Sequence, residues 1–152
     1  MKNQVLSISQ MRHLRDLGVD TQEASVVHLF KDEEENYIDY DEAETLREEI
    51  VVLDRYYDAE MGNYDHSLRM DYGVFTLQDL LDKLPHSITN DRLNGLTIEK
   101  LSNCWDVYYE VIGFINKEVI KSIRRETLLE AVYEMLCYLA ENKLLEKERK
   151  WI

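Results

Sequence analysis

Trp105, Val107, Tyr109 and Val111 alternate with Asp106, Tyr108 and Glu110, and no other feature of the chain restricts its fold so much. A period of two puts one set on each face of a β-strand and predicts burial of the apolar one. Further on, in "TLLEAVYEMLCYLAENKLL", the period changes. Leu128, Val132, Met135, Leu136 and Leu139 recur at helical spacing, behind a Thr127–Glu130 pair spaced as a capping box. A one-sided strand and a one-sided helix in the same chain bury their apolar faces most simply against each other, which is an α+β arrangement.

The other elements follow the same two rules. Ser7 and Gln10 have capping-box spacing, Ile8, Met11, Leu14 and Leu17 make an apolar face, and Gly18 with Val19 fits a left-handed helix end. "ASVVHLF" (24–30) is short and β-branched, and "NYIDY" (36–40) alternates, so a hairpin is expected with "DEEE" as its connection. From Asp41, Ala43, Leu46, Ile50, Leu53 and Tyr57 fall on a helical stripe, with Glu42, Glu48, Glu49 and Arg55 mainly off it. Residues 56–74 show no period and read as a long irregular connection. "FTLQDLLDKLP" (75–85) restarts a helix, with Thr76 as cap, Asp79 in the first turn, Leu77, Leu80, Leu81 and Leu84 inward, and Pro85 at the end.

"LTIEKL" (96–101) and "WDVYYEVI" (105–112) read as paired strands. "FINKEVIKSI" (114–123) fits either a hairpin turning at Asn116–Lys117 or a helical segment. The expected fold is one domain, 1–152, with an antiparallel sheet built from two β-hairpins and helices packed on one face, in the order α-β-β-α-α-β-β-α.

With 45% hydrophobic and 32% charged residues in 152, the chain is globular by composition. One proline and five glycines leave few positions for phosphate-cradling turns. Cys104 and Cys137 lack any CxxC spacing and read as buried free thiols. The first residues contain no apolar run of signal-peptide kind, and no stretch approaches the roughly 20 apolar residues of a membrane span. The expectation is a soluble, cytoplasmic chain with no membrane association.

Charge is distributed unevenly. The formal net charge is −13, of which −10 lies between Lys31 and Glu60, the stretch that opens "KDEEENYIDYDEAETLREE". Phosphates would be repelled there, so no direct nucleic-acid binding is expected. A calcium-binding EF loop starting at Asp32 fails, because its sixth residue is Tyr37 and its twelfth Ala43. A looser hard-cation site can be drawn from Asp39, Asp41 and Glu44, against the plainer reading of a solvated acidic turn and helix start. His13, His28, His66 and His86 follow no zinc spacing, with His13 expected on the exposed side of the first helix. No GxSxG, P-loop, HExxH or GxGxxG is present, so no catalytic residue and no cofactor is assigned, and the non-enzymatic reading leads. Tyr56, Tyr57, Tyr64 and Tyr72 place large amphipathic side chains beside the acids, a combination suited to protein interfaces or to folding back over the core.

Three stretches, "LSISQMRHLRDLGVDTQEAS", "FTLQDLLDKLP" and "LLEAVYEMLCYLAENKLL", resemble a family of small uncharacterised proteins from prophages and other mobile elements of gut Bacteroidetes. The resemblance covers the two termini and the middle helix, and implies an intracellular accessory role without any catalytic residue. The acidic segment from Lys31 to Met61 departs from that pattern.

The leading expectation is a protein partner bound through Glu33, Glu34, Glu35, Asp39, Asp41, Glu42, Tyr56, Tyr57 and Tyr64. A narrower version has the carboxylates imitate the phosphates of a nucleic acid. The alternatives are a divalent-metal domain or metal-dependent enzyme using Asp39, Asp41 and Glu44, and a structural domain with no specific partner.

Overall fold

A computed structural model describes residues 4–31, 37–38, 47–52, 73–113 and 117–145. The chain is α+β and divides into two compact units, Met1–Asp79 and Leu80–Ile152.

In the first unit, α1 (Ile8–Asp16) starts where the side chain of Ser7 accepts from the Gln10 amide at 3.1 Å while the Ser7 amide donates to Gln10 Oε1 at 2.9 Å. This reciprocal box satisfies two otherwise orphaned donors, and a cap of this kind stabilises a helix by about 1 kcal/mol. Ile8, Met11 and Leu14 are buried, as their spacing predicts. The helix ends in a Schellman turn. Gly18, at φ +89°, donates to the Arg15 carbonyl, the Val19 amide reaches the Leu14 carbonyl at 3.0 Å, and Val19 is itself buried.

Three antiparallel pairings centre on β1 (Val26–Lys31). β2 (Tyr37–Ile38) pairs with its end through Phe30↔Ile38 and Lys31↔Tyr37, so the expected hairpin forms, while its "DEEE" connection lies outside the described residues. β3 (Arg47–Val52) runs the whole length of β1, from Val26↔Val52 to Lys31↔Arg47. β4 (Gly73–Val74) pairs with Val26 and Val27.

β3 corrects the helix expected from Asp41 to Tyr57. Ile50, Val51 and Val52 form a contiguous β-branched run, which loses side-chain freedom in a helix and suits a strand. The apolar stripe at 43, 46, 50, 53 and 57 coincided with helical spacing, but six consecutive backbone pairs with β1 decide for the strand. Of the stretch 56–74 read as an irregular connection, 73–74 form β4 and 56–72 lie outside the described residues.

Main-chain and side-chain bonds knit the unit together. Leu6 donates to the Phe75 carbonyl at 3.0 Å, Val5 bridges to Thr76, and the Phe75 amide points at Met11 Sδ, 3.2 Å away. Thr76 caps α2 (Leu77–Lys83), accepting from the Asp79 amide at 3.2 Å, and Asp79 accepts in return from the Thr76 amide at 3.0 Å. The same carboxylate takes both the amide and the hydroxyl of Ser25, just before β1. Val5, Leu6, Ile8, Met11, Leu14, Ala24, Val26, Val27, Val74 and Phe75 are the buried apolar residues around these contacts.

The second unit is a meander of β5 (Asn94–Lys100), β6 (Trp105–Val111) and β7 (Val119–Arg125), with α3 (Leu128–Glu141) packed against β6 and β7. Thr127 caps α3, accepting from the Glu130 amide at 3.2 Å. Val107, Tyr109 and Val111 are buried, as are Ala131, Val132, Met135, Leu136 and Leu139 on the helix. The ambiguous 114–123 stretch resolves as strand over its described part from Val119 onward, with a bulge at Tyr109/Glu110 opposite it. Among the described residues the strands lie in two sheets, one of β1–β4 and one of β5–β7, where a single sheet of two hairpins was expected, and β3 and β7 each add a strand to a hairpin.

Candidate interaction surface

β6 is the axis from which the polar groups of the second unit are placed. Its apolar set faces α3, but the alternate set is not left to water: Asp106 is 3% exposed and Tyr108 4%. The sequence alternation correctly divides the two faces and misjudges the burial of the second.

A buried carboxylate needs partners, and register supplies them. Asp106 stands opposite Arg124, and accepts from Arg124 Nε at 3.2 Å and from Ser122 Oγ at 2.6 Å. Tyr108 stands opposite Ser122, and the Lys117 ammonium sits 3.9 Å from its ring centroid, a cation–π contact. The hydrogen bond to Tyr108 pushes the Lys117 ammonium above the ordinary lysine value, with the charges of Tyr108, Glu99 and Glu110 adding to it. Thr97 Oγ1 donates to Glu110 at 3.0 Å. On the other face, Lys121 lies 4.5 Å from the Tyr138 ring centroid, and Arg125 Nη2 meets Glu134 at 2.5 Å.

Several of the polar groups of this unit are committed to contacts within it. Ser122 donates to a carboxylate already held by a guanidinium, with no histidine in the contact. The Tyr109 hydroxyl donates to the Pro85 carbonyl at 2.7 Å, and burial pushes its pKa well above the usual tyrosine range, so it stays a neutral donor. Cys104 and Cys137 are free, the first half-buried and the second buried. Burial pushes the Cys137 thiol up, away from reactive thiolate. The neighbouring Tyr133 is raised by burial and then by its contact with Cys137. Among the described residues no three His, Cys, Asp or Glu side chains gather as a metal site. No helix among them is long and apolar enough to cross a membrane.

Glu33, Glu34, Glu35, Asp39, Asp41, Glu42, Glu44, Tyr56, Tyr57 and Tyr64 all lie outside the described residues. Of the acidic run, Glu48 and Glu49 are described at the backbone, across β3 from Phe30 and Leu29. His13 is exposed on α1, as expected, and His28 sits in β1 opposite Ile50.

Two features were not singled out from the sequence. The first is Asn94, 3% exposed, whose side chain makes four hydrogen-bonding contacts, the two Nδ2 hydrogens being shared among three acceptors. Its Oδ1 accepts from the Ile88 amide at 2.8 Å, and its Nδ2 donates to the Thr89 carbonyl, to Thr89 Oγ1 and to the Arg92 carbonyl at 2.7–3.1 Å. It thereby shapes the 88–93 loop that leads into β5. The second is the row Lys121, Arg124 and Arg125 on β7. Its signal was present in the sequence, a strand-length segment "VIKSIRR" with three cations and no acid inside an acidic chain.

Set against protein-family models, curated proteins and solved structures, the chain matches none.

Proposed function

We propose that this chain is a non-enzymatic, cytoplasmic accessory protein of phage or mobile-element origin that binds another protein through its acidic, tyrosine-rich segment. The binding residues are Glu33, Glu34, Glu35, Asp39, Asp41, Glu42, Tyr56, Tyr57 and Tyr64. The observation that carries the reading is charge segregation: −10 of the net −13 falls in residues 31–60. A chain that needs charge only for solubility has no reason to confine it to a fifth of its length.

The second unit supports the non-enzymatic half of the reading. Its buried acid, phenol and thiol are each committed to structural contacts: Asp106 to Arg124, Tyr109 to Pro85, and Cys137 to Tyr133. The resemblance of the termini and the middle helix to mobile-element proteins supports the accessory role.

The test is affinity capture from a bacterial lysate on two baits, the native chain and one carrying Lys at positions 33, 35, 39 and 42. Elution by rising salt separates the outcomes. A DNA-binding protein released by salt and lost from the altered bait supports binding through this segment, in its nucleic-acid-mimic form. A partner held equally by both baits removes the acidic residues from the interface and overturns the assignment.

A further inference from the structure

We propose that β7 is a docking edge for an extended acidic segment of another protein, a surface separate from the acidic run and opposite to it in sign. Among the described strands, β7 pairs with β6 alone. Its other side therefore presents main-chain donors and acceptors to which a further strand can be added.

The side chains state what that strand must look like. Within Val119–Arg125 there are three cations and no acid. Each is fixed by the unit itself: Lys121 by the Tyr138 ring, Arg125 by Glu134, and Arg124 by Asp106. Arg124 spends only its Nε on the buried Asp106, and its side chain remains 64% exposed. The carboxylate beneath thus holds the guanidinium in one orientation while its terminal nitrogens stay free for a second carboxylate, the geometry in which arginine binds best. The acid just before the strand, Glu118, is already taken by Arg92.

Alternation distributes these charges. Lys121 and Arg125 lie on the face toward α3 and Arg124 on the other, so an added strand meets cations on both of its faces. Paired antiparallel over its full length with a second copy, β7 would set Lys121, Arg124 and Arg125 opposite Ile123, Ile120 and Val119, giving them no carboxylate. Shifted registers would oppose Lys121 to Arg125 or Arg124 to itself, which is destabilising. An acidic strand gains most at Lys121 and Arg124, and less at Arg125, which Glu134 already partners. The cations, which gain nothing from self-pairing, therefore select the partner.

β5, the other outer strand, makes no such choice. Glu99 and Lys100 have opposite signs, and the Ile112 side chain leans to 3.0 Å from where a Cβ on Gly95 would stand. The overall charge of −13 does not prevent local attraction, because at physiological ionic strength charges beyond about 8 Å are largely screened.

The probe is a ten-residue, end-blocked peptide of alternating Glu and Thr, added to the full chain. Hydrogen exchange over 117–126 and a binding titration at 0.1 M and 0.5 M salt are measured. The expected result is exchange slowed about tenfold in β7 at saturation, with affinity falling several-fold at the higher salt. Lys121→Gln combined with Arg125→Gln weakens binding about fivefold to tenfold. Lys121→Gln alone keeps the Arg125–Glu134 pair, and should weaken binding by a smaller factor with an unchanged circular dichroism spectrum. Three results would overturn the proposal: no slowing at millimolar peptide, equal binding of a peptide with Lys in place of Glu, or unchanged affinity in both variants. Concentration-dependent self-association that protects the same amides would assign the edge to a second copy instead, and would equally overturn it.

Discussion

β6 is paired along both sides by the strands next to it in sequence, whereas β1 is paired in pieces by strands drawn from across the first unit. On one side of β1 lies β3; the two-residue β2 and β4 each cover one end. The helices of the two units are more alike than the sheets. α1 and α3 both begin at a hydroxyl cap and both end in a Schellman turn. The comparison separates what local sequence writes, namely helix ends and hairpins, from what is decided only when distant segments meet.

The largest effect is expected where a single side chain holds the entry to the β6 meander. Replacing Asn94 by Ala removes four hydrogen bonds and leaves the Ile88 amide buried without its acceptor. A loss of about 3 kcal/mol is expected, measured by chemical denaturation, with hydrogen exchange accelerated first in 88–96. A loss below about 1 kcal/mol would mean that strand pairing alone closes this sheet, and the contrast with β1 would then rest on strand length.

A smaller effect is expected at Tyr109, in the centre of β6. Tyr109→Phe keeps the ring and removes the bond to the Pro85 carbonyl, costing about 1–1.5 kcal/mol near neutral pH. The pH dependence has a definite sign. Burial raises the folded-state pKa of Tyr109, so the fold favours the neutral phenol. Its contribution is complete below the unfolded value near about 10 and is lost as pH rises toward the folded value. Melting curves of the native chain should therefore fall more steeply above about pH 10 than those of Tyr109→Phe. Parallel curves would show that the hydroxyl is solvated in spite of its position.

The same contrast explains what the sequence could tell. The caps at Ser7, Thr76 and Thr127, the Gly18 turn and the two faces of β6 are local patterns, and each is found in the fold. β3 was missed because Ile50 belongs equally to a helical stripe and to a β-branched run, and only its pairing with β1, some twenty residues earlier, breaks the tie. "FINKEVIKSI" was ambiguous for the same reason. Val119 and Ile123 suit one turn of helix, but Ile123 lies opposite Val107 and Val119 opposite Glu110. Asn94 left no signal, since three of its four partners are main-chain atoms and carry no residue identity. The buried Asp106 reads in sequence like any polar residue of an outer face; the Arg124 that neutralises it stands eighteen positions later. The acidic candidates rest on composition, which shows that charge is concentrated without showing how the carboxylates are arranged.

The smallest effect sharpens the likeness between the helices. Both end with a left-handed residue, but α1 uses Gly18 at φ +89° and α3 uses Lys143 at φ +57°. At Lys143 the turn is otherwise complete: its amide reaches the Ala140 carbonyl at 3.2 Å, the Leu144 amide reaches the Leu139 carbonyl at 2.8 Å, and Asn142 Nδ2 adds a bond to the Tyr138 carbonyl. A side chain with a Cβ is strained in this region and glycine is not, although glycine also gives the unfolded chain more freedom. The first term exceeds the second at a helix end of this kind. Lys143→Gly is therefore expected to stabilise the chain by about 0.5–1 kcal/mol, a rise of roughly 2 °C in Tm for a protein of this size. The mirror change, Gly18→Lys, should cost at least as much, because α1 has no Asn142 counterpart bonding back to its last carbonyls. If Lys143→Gly proves neutral or destabilising, the Asn142 bond alone secures the end of α3, and the two helices end alike in geometry but not in energy.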